Sequence, residues 1–324
     1  SGLRSEAAAL RAILERHRPI IAMEDVHAQA AGLQYKLRMP CASMAPPFPL
    51  LLFLHGAGER GAADGKDIWK VHTHGPWKSP GHECCLLVAP QCPTGRIWPA
   101  LADQVVRLID FIVEQHPVDR SKIYGTGLSL GAFGIWAVAS LRPSLFAAVV
   151  PICGGFTTPA SDDLRMNTLL NRAKLDVNPS EVEPLRHLPT WLFHGGKDMT
   201  VDCLGSKKLF VALGGVARPR DSLRMTIYKD SGHQVWGPAY REKDLFKWLL
   251  QQRRSEAQAS APSSSASAPH VASALRPFRS SSGGTLPEAT ARLLGLDGRP
   301  RSPSPSSGDD DVGVGVGAGG GGGG

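Results

Sequence analysis

Lys122-Ile123-Tyr124-Gly125-Thr126-Gly127-Leu128-Ser129-Leu130-Gly131-Ala132-Phe133-Gly134-Ile135-Trp136 is the stretch around which the rest of the chain is arranged. A short β-prone run, Lys122-Ile123-Tyr124, leads into a Gly-x-Ser-x-Gly turn, and apolar residues then recur at helical spacing as far as Leu141. Strand, sharp turn and helix in that order are what a nucleophile elbow requires. Such a turn holds its serine in a strained backbone conformation. Side chains at Gly127 and Gly131 would collide with the neighbouring strand and helix. The Leu130 N–H falls at the helix N-terminus, where it can donate to a developing oxyanion. The pentapeptide alone arises by chance in Gly-rich chains. The flanking pattern separates it from an ordinary strand–helix loop with a serine at its tip.

Outward from the elbow, the same logic extends in both directions. Leu-Leu-Leu-Phe-Leu at 50–54 and Leu-Leu-Val-Ala-Pro at 86–90 are all-apolar runs of the kind that make central parallel strands. Residues 146–153 and 223–229 read as further strands, 190–198 as a strand with its exit loop, and 33–39 alternates weakly, as an edge strand does. Helical spacing marks 3–18, closed by Pro19, and also 103–115, 204–213 and 240–252. Residues 154–188 mix Gly, Pro and polar residues around a short helix near 164–174. They read as an insertion over the sheet edge, a partial lid. Strands alternating with helices predict an α/β fold with a mostly parallel central sheet flanked by helices. In such sheets a site forms outside the carboxyl ends of the strands.

Composition divides the 324 residues into three parts. Residues 1–30 read as an N-terminal helical extension and 31–254 as the α/β domain. From Ser255 the chain is Ser, Ala, Pro and Gly, too poor in large apolar residues to offset its ordering entropy, so 255–324 read as a disordered low-complexity tail. That tail holds five Arg against six acidic residues, so the net charge of +7 leaves +8 on the remainder. The positive charge is spread, without a basic run or interleaved aromatics, which argues against nucleic acid as a partner. No apolar run reaches the ~18–20 residues of a membrane span, which argues against integral membrane contact. Six Cys show no Cys-x-x-Cys spacing and read as small core residues in a reducing, cytoplasmic compartment.

A serine hydroxyl needs a base, and the base needs an orienting acid. On an elbow of this kind they follow in the order Ser, acid, His. Asp198, after the strand Trp191-Leu192-Phe193-His194-Gly195-Gly196, lies 69 residues beyond Ser129; His233, in a Gly-flanked loop after the following strand, lies 104 beyond. Asp202 is the reserve acid, and Asp230 sits too close to His233 in sequence to be the first choice. Among the other histidines, His55 and His194 precede glycines at strand ends and read as loop-shaping. His72, His74, His82, His116 and His187 read as exposed. A second oxyanion donor should come from His55-Gly56-Ala57-Gly58-Glu59-Arg60-Gly61, the loop after the first central strand: Ala57, with Gly58 as the alternative. Glu59 and Arg60 read as a brace of that loop or as a solvated pair. Trp98, Trp236 and Phe156 are the candidate substrate-binding aromatics; Phe133 and Trp136 read as core. No cofactor and no metal are expected.

Together, His55-Gly56-Ala57-Gly58-Glu59-Arg60-Gly61, Ala89-Pro90-Gln91-Cys92-Pro93 with Trp98 beyond, Thr126-Gly127-Leu128-Ser129-Leu130-Gly131, His194-Gly195-Gly196-Lys197-Asp198 and Gly232-His233-Gln234-Val235-Trp236 resemble a serine hydrolase of the α/β-hydrolase superfamily. More narrowly they are similar to its phospholipase/carboxylesterase-type and dienelactone-hydrolase-like (predicted-peptidase) esterases, over about residues 33–250. The resemblance implies Ser129 as nucleophile, Asp198 as acid, His233 as base, and Leu130 with the Ala57 loop as oxyanion hole. Two departures stand out: Ala132 where a second Gly is usual, and a short segment between Met39 and Phe48. The expected activity is hydrolysis of a small-molecule or lipid-like carboxylic ester or thioester through an acyl-enzyme. The alternatives are a serine peptidase and a catalytically idle hydrolase fold used for binding.

Overall fold

A computed structural model describes residues 25–160, 166–172 and 177–254. The helix expected at 3–18 and the tail at 255–324 lie outside the described residues. Eight strands are described: β1 (Asp25–Ala30), β2 (Leu33–Arg38), β3 (Phe48–Leu54), β4 (Leu86–Pro90), β5 (Val118–Leu128), β6 (Ala148–Ile152), β7 (Thr190–Gly195) and β8 (Leu223–Tyr228). They form one sheet in the order β1-β2-β4-β3-β5-β6-β7-β8. The pairings from β4 to β8 are parallel, while β2 runs antiparallel to both β1 and β4. Every residue of β4, β6 and β7 is buried. Strands covered on both faces need continuous apolar runs, which is why β4 and β6 were legible as runs without alternation.

The sheet begins at Asp25, not after residue 30, and β2 is not its edge. Asp-Val-His-Ala-Gln-Ala has only Val26, Ala28 and Ala30 on its apolar face, and Val26 is exposed. Its pairing comes from a two-residue hairpin at Ala31 and Gly32, both with positive φ (51° and 77°), a backbone that matches the twist of the flanking strands. Beside it β2 buries Leu33, Tyr35 and Leu37 on alternate positions.

The described helices are α1 (Ala102–Gln115), α2 (Leu130–Leu141), α3 (Met166–Arg172), α4 (Pro179–Val182), α5 (Cys203–Ala212), α6 (Trp236–Tyr240) and α7 (Leu245–Gln251). α1 buries one stripe that includes Val105, Leu108, Ile109 and Ile112, the pattern of a helix lying on a sheet. α2 is buried from Leu130 to Ala139. The single helix expected at 240–252 is two pieces. Arg241 and Asp244 both sit near φ −95°, ψ 0°, a sparsely allowed region that interrupts the helical ladder. The break leaves the Tyr240 hydroxyl against Thr126 Oγ1 at 2.9 Å, in the core under the elbow. Within 154–188, α3 lies inside the short helix expected at 164–174, residues 161–165 and 173–176 fall outside the described residues, and Leu169, Val182 and Leu185 are buried.

Candidate active site

The elbow is built by backbone crowding. Ser129 has φ 51° and ψ −117°, a conformation that costs a non-glycine residue on the order of 1–3 kcal/mol. Its N–H donates to the Ile152 carbonyl at 2.8 Å, tying the turn to the end of β6. A Cβ on Gly131 would strike the Leu54 carbonyl at the end of β3, and one on Gly127 would strike the Gly131 backbone. The strand and helix therefore cross at backbone contact, and the serine is pushed outward. Ala132 is accommodated from the other side: its methyl occupies the space that a side chain on Gly154 would take.

Two loops then meet the serine. His233 Nε2 lies 2.9 Å from Ser129 Oγ, and His233 Nδ1 lies 2.7 Å from Asp198 Oδ2. Glycines bring these loops together, because a Cβ on Gly195 or Gly196 would collide with the backbone of the 229–232 turn. Lys197 N donates to the Ser231 carbonyl at 2.9 Å, and Lys197 Nζ pairs with Asp230 at 2.8 Å. Asp230 thus cross-links the two loops at the surface. Asp202 caps α5 by accepting from Leu204 N at 2.9 Å.

Asp198 divides its two oxygens between two tasks. Oδ1 accepts from Thr200 N (2.8 Å) and Val201 N (2.9 Å), the turn-capping role open to any Asp here, while Oδ2 faces the imidazole of His233. Burial on its own raises the carboxyl's pKa. Hydrogen bonds from His194, His233 and the Val201 N–H outweigh it and hold the group well below the usual carboxylate range. Asp198 is therefore an anion throughout the neutral range.

The loop after β3 is braced from three sides. His55 is fully buried; its Nδ1–H donates to the Gly56 carbonyl (2.7 Å) and its Nε2 accepts from Cys92 N (3.0 Å). Burial lowers its pKa to about 4, against a small opposing effect of the Gly56 bond, so the ring is neutral. Arg60 Nε donates to the Ala57 carbonyl at 3.0 Å, and Gln91 Nε2 to the Glu59 carbonyl at 3.0 Å. Glu59 itself is buried, 3.5 Å from His74. Ala57 opens a short 3-10 turn and Leu130 opens α2, so both N–H groups stand at helical N-termini, where the chain's own carbonyls are not aligned to accept them.

Of the aromatics, Trp98 is a correction. It is fully buried at the start of a 3-10 turn, and its indole N–H donates to the His55 carbonyl at 2.9 Å. A ring with no accessible surface and a satisfied N–H supports the loop from beneath; it does not line a pocket. Trp236 opens α6 instead of lying in a loop. Half-buried, it stands edge-on to His233 at 5.7 Å and 5.3 Å from the His74 ring. Phe156 is half-buried, 5.9 Å from the core ring of Trp136. His82 is also corrected, being buried against Phe246.

Two neighbours of the site carried no functional signal in sequence. Cys153, read as core, is buried with φ 52°, and its thiol, Asp198 and His233 offer atoms within 4.8 Å of one another. The carboxylate and imidazole of that set are already joined to each other. Burial pushes the Cys153 thiol up to about 12, which keeps it protonated. His194, read as loop-shaping, does bond the Val201 carbonyl at 2.9 Å, but it also reaches Asp198 Oδ2 at 3.1 Å.

Residues 100–254, the span that carries Ser129, Asp198 and His233, match the prolyl oligopeptidase family. Poly(3-hydroxyalkanoate) depolymerase C of Paucimonas lemoignei is 32% identical over 117 residues, 33% of this chain and 28% of the depolymerase, so the likeness spans under a third of that protein. Among solved structures, a thermostable esterase is 27% identical with a TM-score of 0.57, over 72% of this chain and 64% of the esterase. The acetyl xylan esterase from Aspergillus awamori shares the fold at 15% identity and a TM-score of 0.52, over 69% of this chain and 99% of that one. With its elbow set into a mostly parallel sheet of this order, the chain has the α/β-hydrolase fold.

Proposed function

We propose that this protein is a serine hydrolase that cleaves carboxylic esters or thioesters through a Ser129–His233–Asp198 triad. One observation carries the reading: an unbroken hydrogen-bond line from the Ser129 hydroxyl through both nitrogens of His233 to Asp198. Since Asp198 can only accept, His233 Nδ1 carries the ring proton and Nε2 is left with a lone pair facing Ser129. His233 then takes the serine proton as Oγ attacks the carbonyl. The Leu130 and Ala57 N–H groups receive the oxyanion. His233 returns its proton to the leaving group, and water releases the acyl-enzyme by the same steps. Asp198 stays ionised and stabilises the imidazolium that forms twice per turnover. Trp236 and Phe156 are the aromatic walls in this reading.

The likeness to an esterase and to a depolymerase of 3-hydroxyalkanoate polyesters makes an acyl ester the first substrate class to assay. The prolyl oligopeptidase match supports peptide bonds as a second reading. A p-nitrophenyl ester chain-length series beside a thioester, a 3-hydroxyalkanoate oligomer and a peptide anilide, each with Ser129→Ala as control, separates them. No serine-dependent turnover of any of these, together with no labelling of Ser129 by a fluorophosphonate, would leave only a binding role for the fold. Among the described residues no helix is long and apolar enough to cross a membrane. A reducing, cytoplasmic compartment, read from the cysteine spacing, is part of this proposal.

A further inference from the structure

Behind Asp198 lies a second buried imidazole that the triad chemistry does not require. His194 and the Asp198 side chain both have no accessible surface, with His194 Nε2 3.1 Å from Asp198 Oδ2. The same Nε2 lies 2.9 Å from the Val201 carbonyl, and Nδ1 lies 2.8 Å from Ser206 Oγ, which in turn stands 3.2 Å from the Gly154 carbonyl. A carboxylate and a carbonyl can only accept, so Nε2 must carry a proton and share it between them. Ser206 has one proton. Given to Nδ1 it leaves the ring neutral; given to Gly154 it obliges the ring to be an imidazolium.

We infer that His194 is a positioning residue for Asp198: it donates to Oδ2, the oxygen that also faces His233, with Ser206 holding its ring in register. This inference rests on the hydrolase reading above. The carboxylate is caught between four donors: the Thr200 and Val201 N–H groups on Oδ1, and His233 and His194 on Oδ2. Its rotation is thereby fixed, and a share of its charge is drawn away from His233. The other groups facing this cluster add no opposing charge. Among the described residues the Cys153 and Cys203 thiols are kept neutral by burial, His233 meets Ser129 and the edge of Trp236, and the Lys197–Asp230 pair lies in solvent.

Replacing the donor by an apolar ring, His194→Phe, leaves more of the carboxylate's charge on His233, which then holds its proton to higher pH. The expected result, per mole of fluorophosphonate-labelled serine, is a roughly tenfold loss of kcat, the size of one lost hydrogen bond. KM should stay within twofold, and the acid limb of kcat/KM should move up by about half a pH unit. His194→Gln, whose amide N–H can still donate to Asp198, should recover most of kcat and return the acid limb. Unchanged kcat and acid limb in His194→Phe would overturn the assignment, as would a loss confined to melting temperature or labelled fraction. Should that variant not fold, ¹⁵N-histidine NMR of the wild-type chain decides: a His194 ring protonated at Nε2 supports the inference, and an unprotonated Nε2 overturns it. Failure of wild-type Ser129 to label at all would strike the hydrolase reading instead.

Discussion

A hydroxyl is a weak nucleophile until a neighbouring base can take its proton, and the 2.9 Å contact between Ser129 and His233 places that base within reach. Ser129→Ala should lower kcat by about 10⁶-fold and abolish phosphonate labelling, leaving what the oxyanion donors and binding contribute. Asp198→Asn keeps the shape but lets the wrong His233 tautomer form, and should cost about 10⁴-fold in kcat. The same side chain has a signature in stability. Its folded pKa is depressed, so its contribution is present above the unfolded value of about 4 and is lost as pH falls below it. His55 acts in a different window. Buried and neutral, with its pKa lowered to about 4, it binds no proton where the unfolded chain does, so stability falls as pH drops from about 6.5 towards 4. Urea denaturation at pH 7, 5.5 and 4.5 should show that fall in the wild type and a flatter dependence in His55→Gln.

At the scale of elements, the site depends on three close approaches: α2 against the end of β3, α2 against the 98–101 turn, and the β7 exit loop against the β8 exit loop. Each is made by a glycine whose added Cβ would strike its neighbour. Gly131→Ala would drive a methyl into the Leu54 carbonyl, where neither backbone can retreat without moving the oxyanion loop. A loss of about 2–4 kcal/mol in denaturation, together with lost activity, is expected. Gly58 is the control, since a Cβ there meets nothing within 4 Å. Gly58→Ala should leave stability within about 0.5 kcal/mol, which separates crowding from a general intolerance of the Gly-rich motifs.

Over the whole molecule, seven pairings of one sheet and a continuous apolar core hold loops from four strand ends at one rim. Arg254 ends the described domain, with its N–H on the Ser121 carbonyl at 3.0 Å, and the Tyr124 hydroxyl reaches the Gln252 carbonyl at 2.9 Å. The end of the described stretch is therefore tied back to β5. A chain ending at Arg254 should keep its melting temperature within about 2 °C and its rate of phosphonate labelling within twofold. This is the outcome expected if 255–324 act as a solubilising tail, and a larger loss would assign that segment a part in the fold. Calorimetry and labelling of the two chains side by side make the comparison.

What sequence determined by itself was the set of features carried by local physics. Buried parallel strands must be apolar on both faces, so β3, β4 and β6 were visible as runs. An elbow must have glycines at fixed offsets, so Ser129 was visible from its neighbours, and chain order then pointed to Asp198 and His233. Tertiary structure alone decided what depends on partners distant in sequence. The short strand β1, with two of its three apolar residues alanines, exists because β2 offers it an edge, and Trp98 is core because its indole donates to the His55 carbonyl. Gly154 makes room for Ala132, an accommodation that no local pattern announces. His194 could be read as a loop residue four positions from Asp198, but the direction of its ring is set by Val201, Ser206 and Gly154, which only the packed sheet brings together.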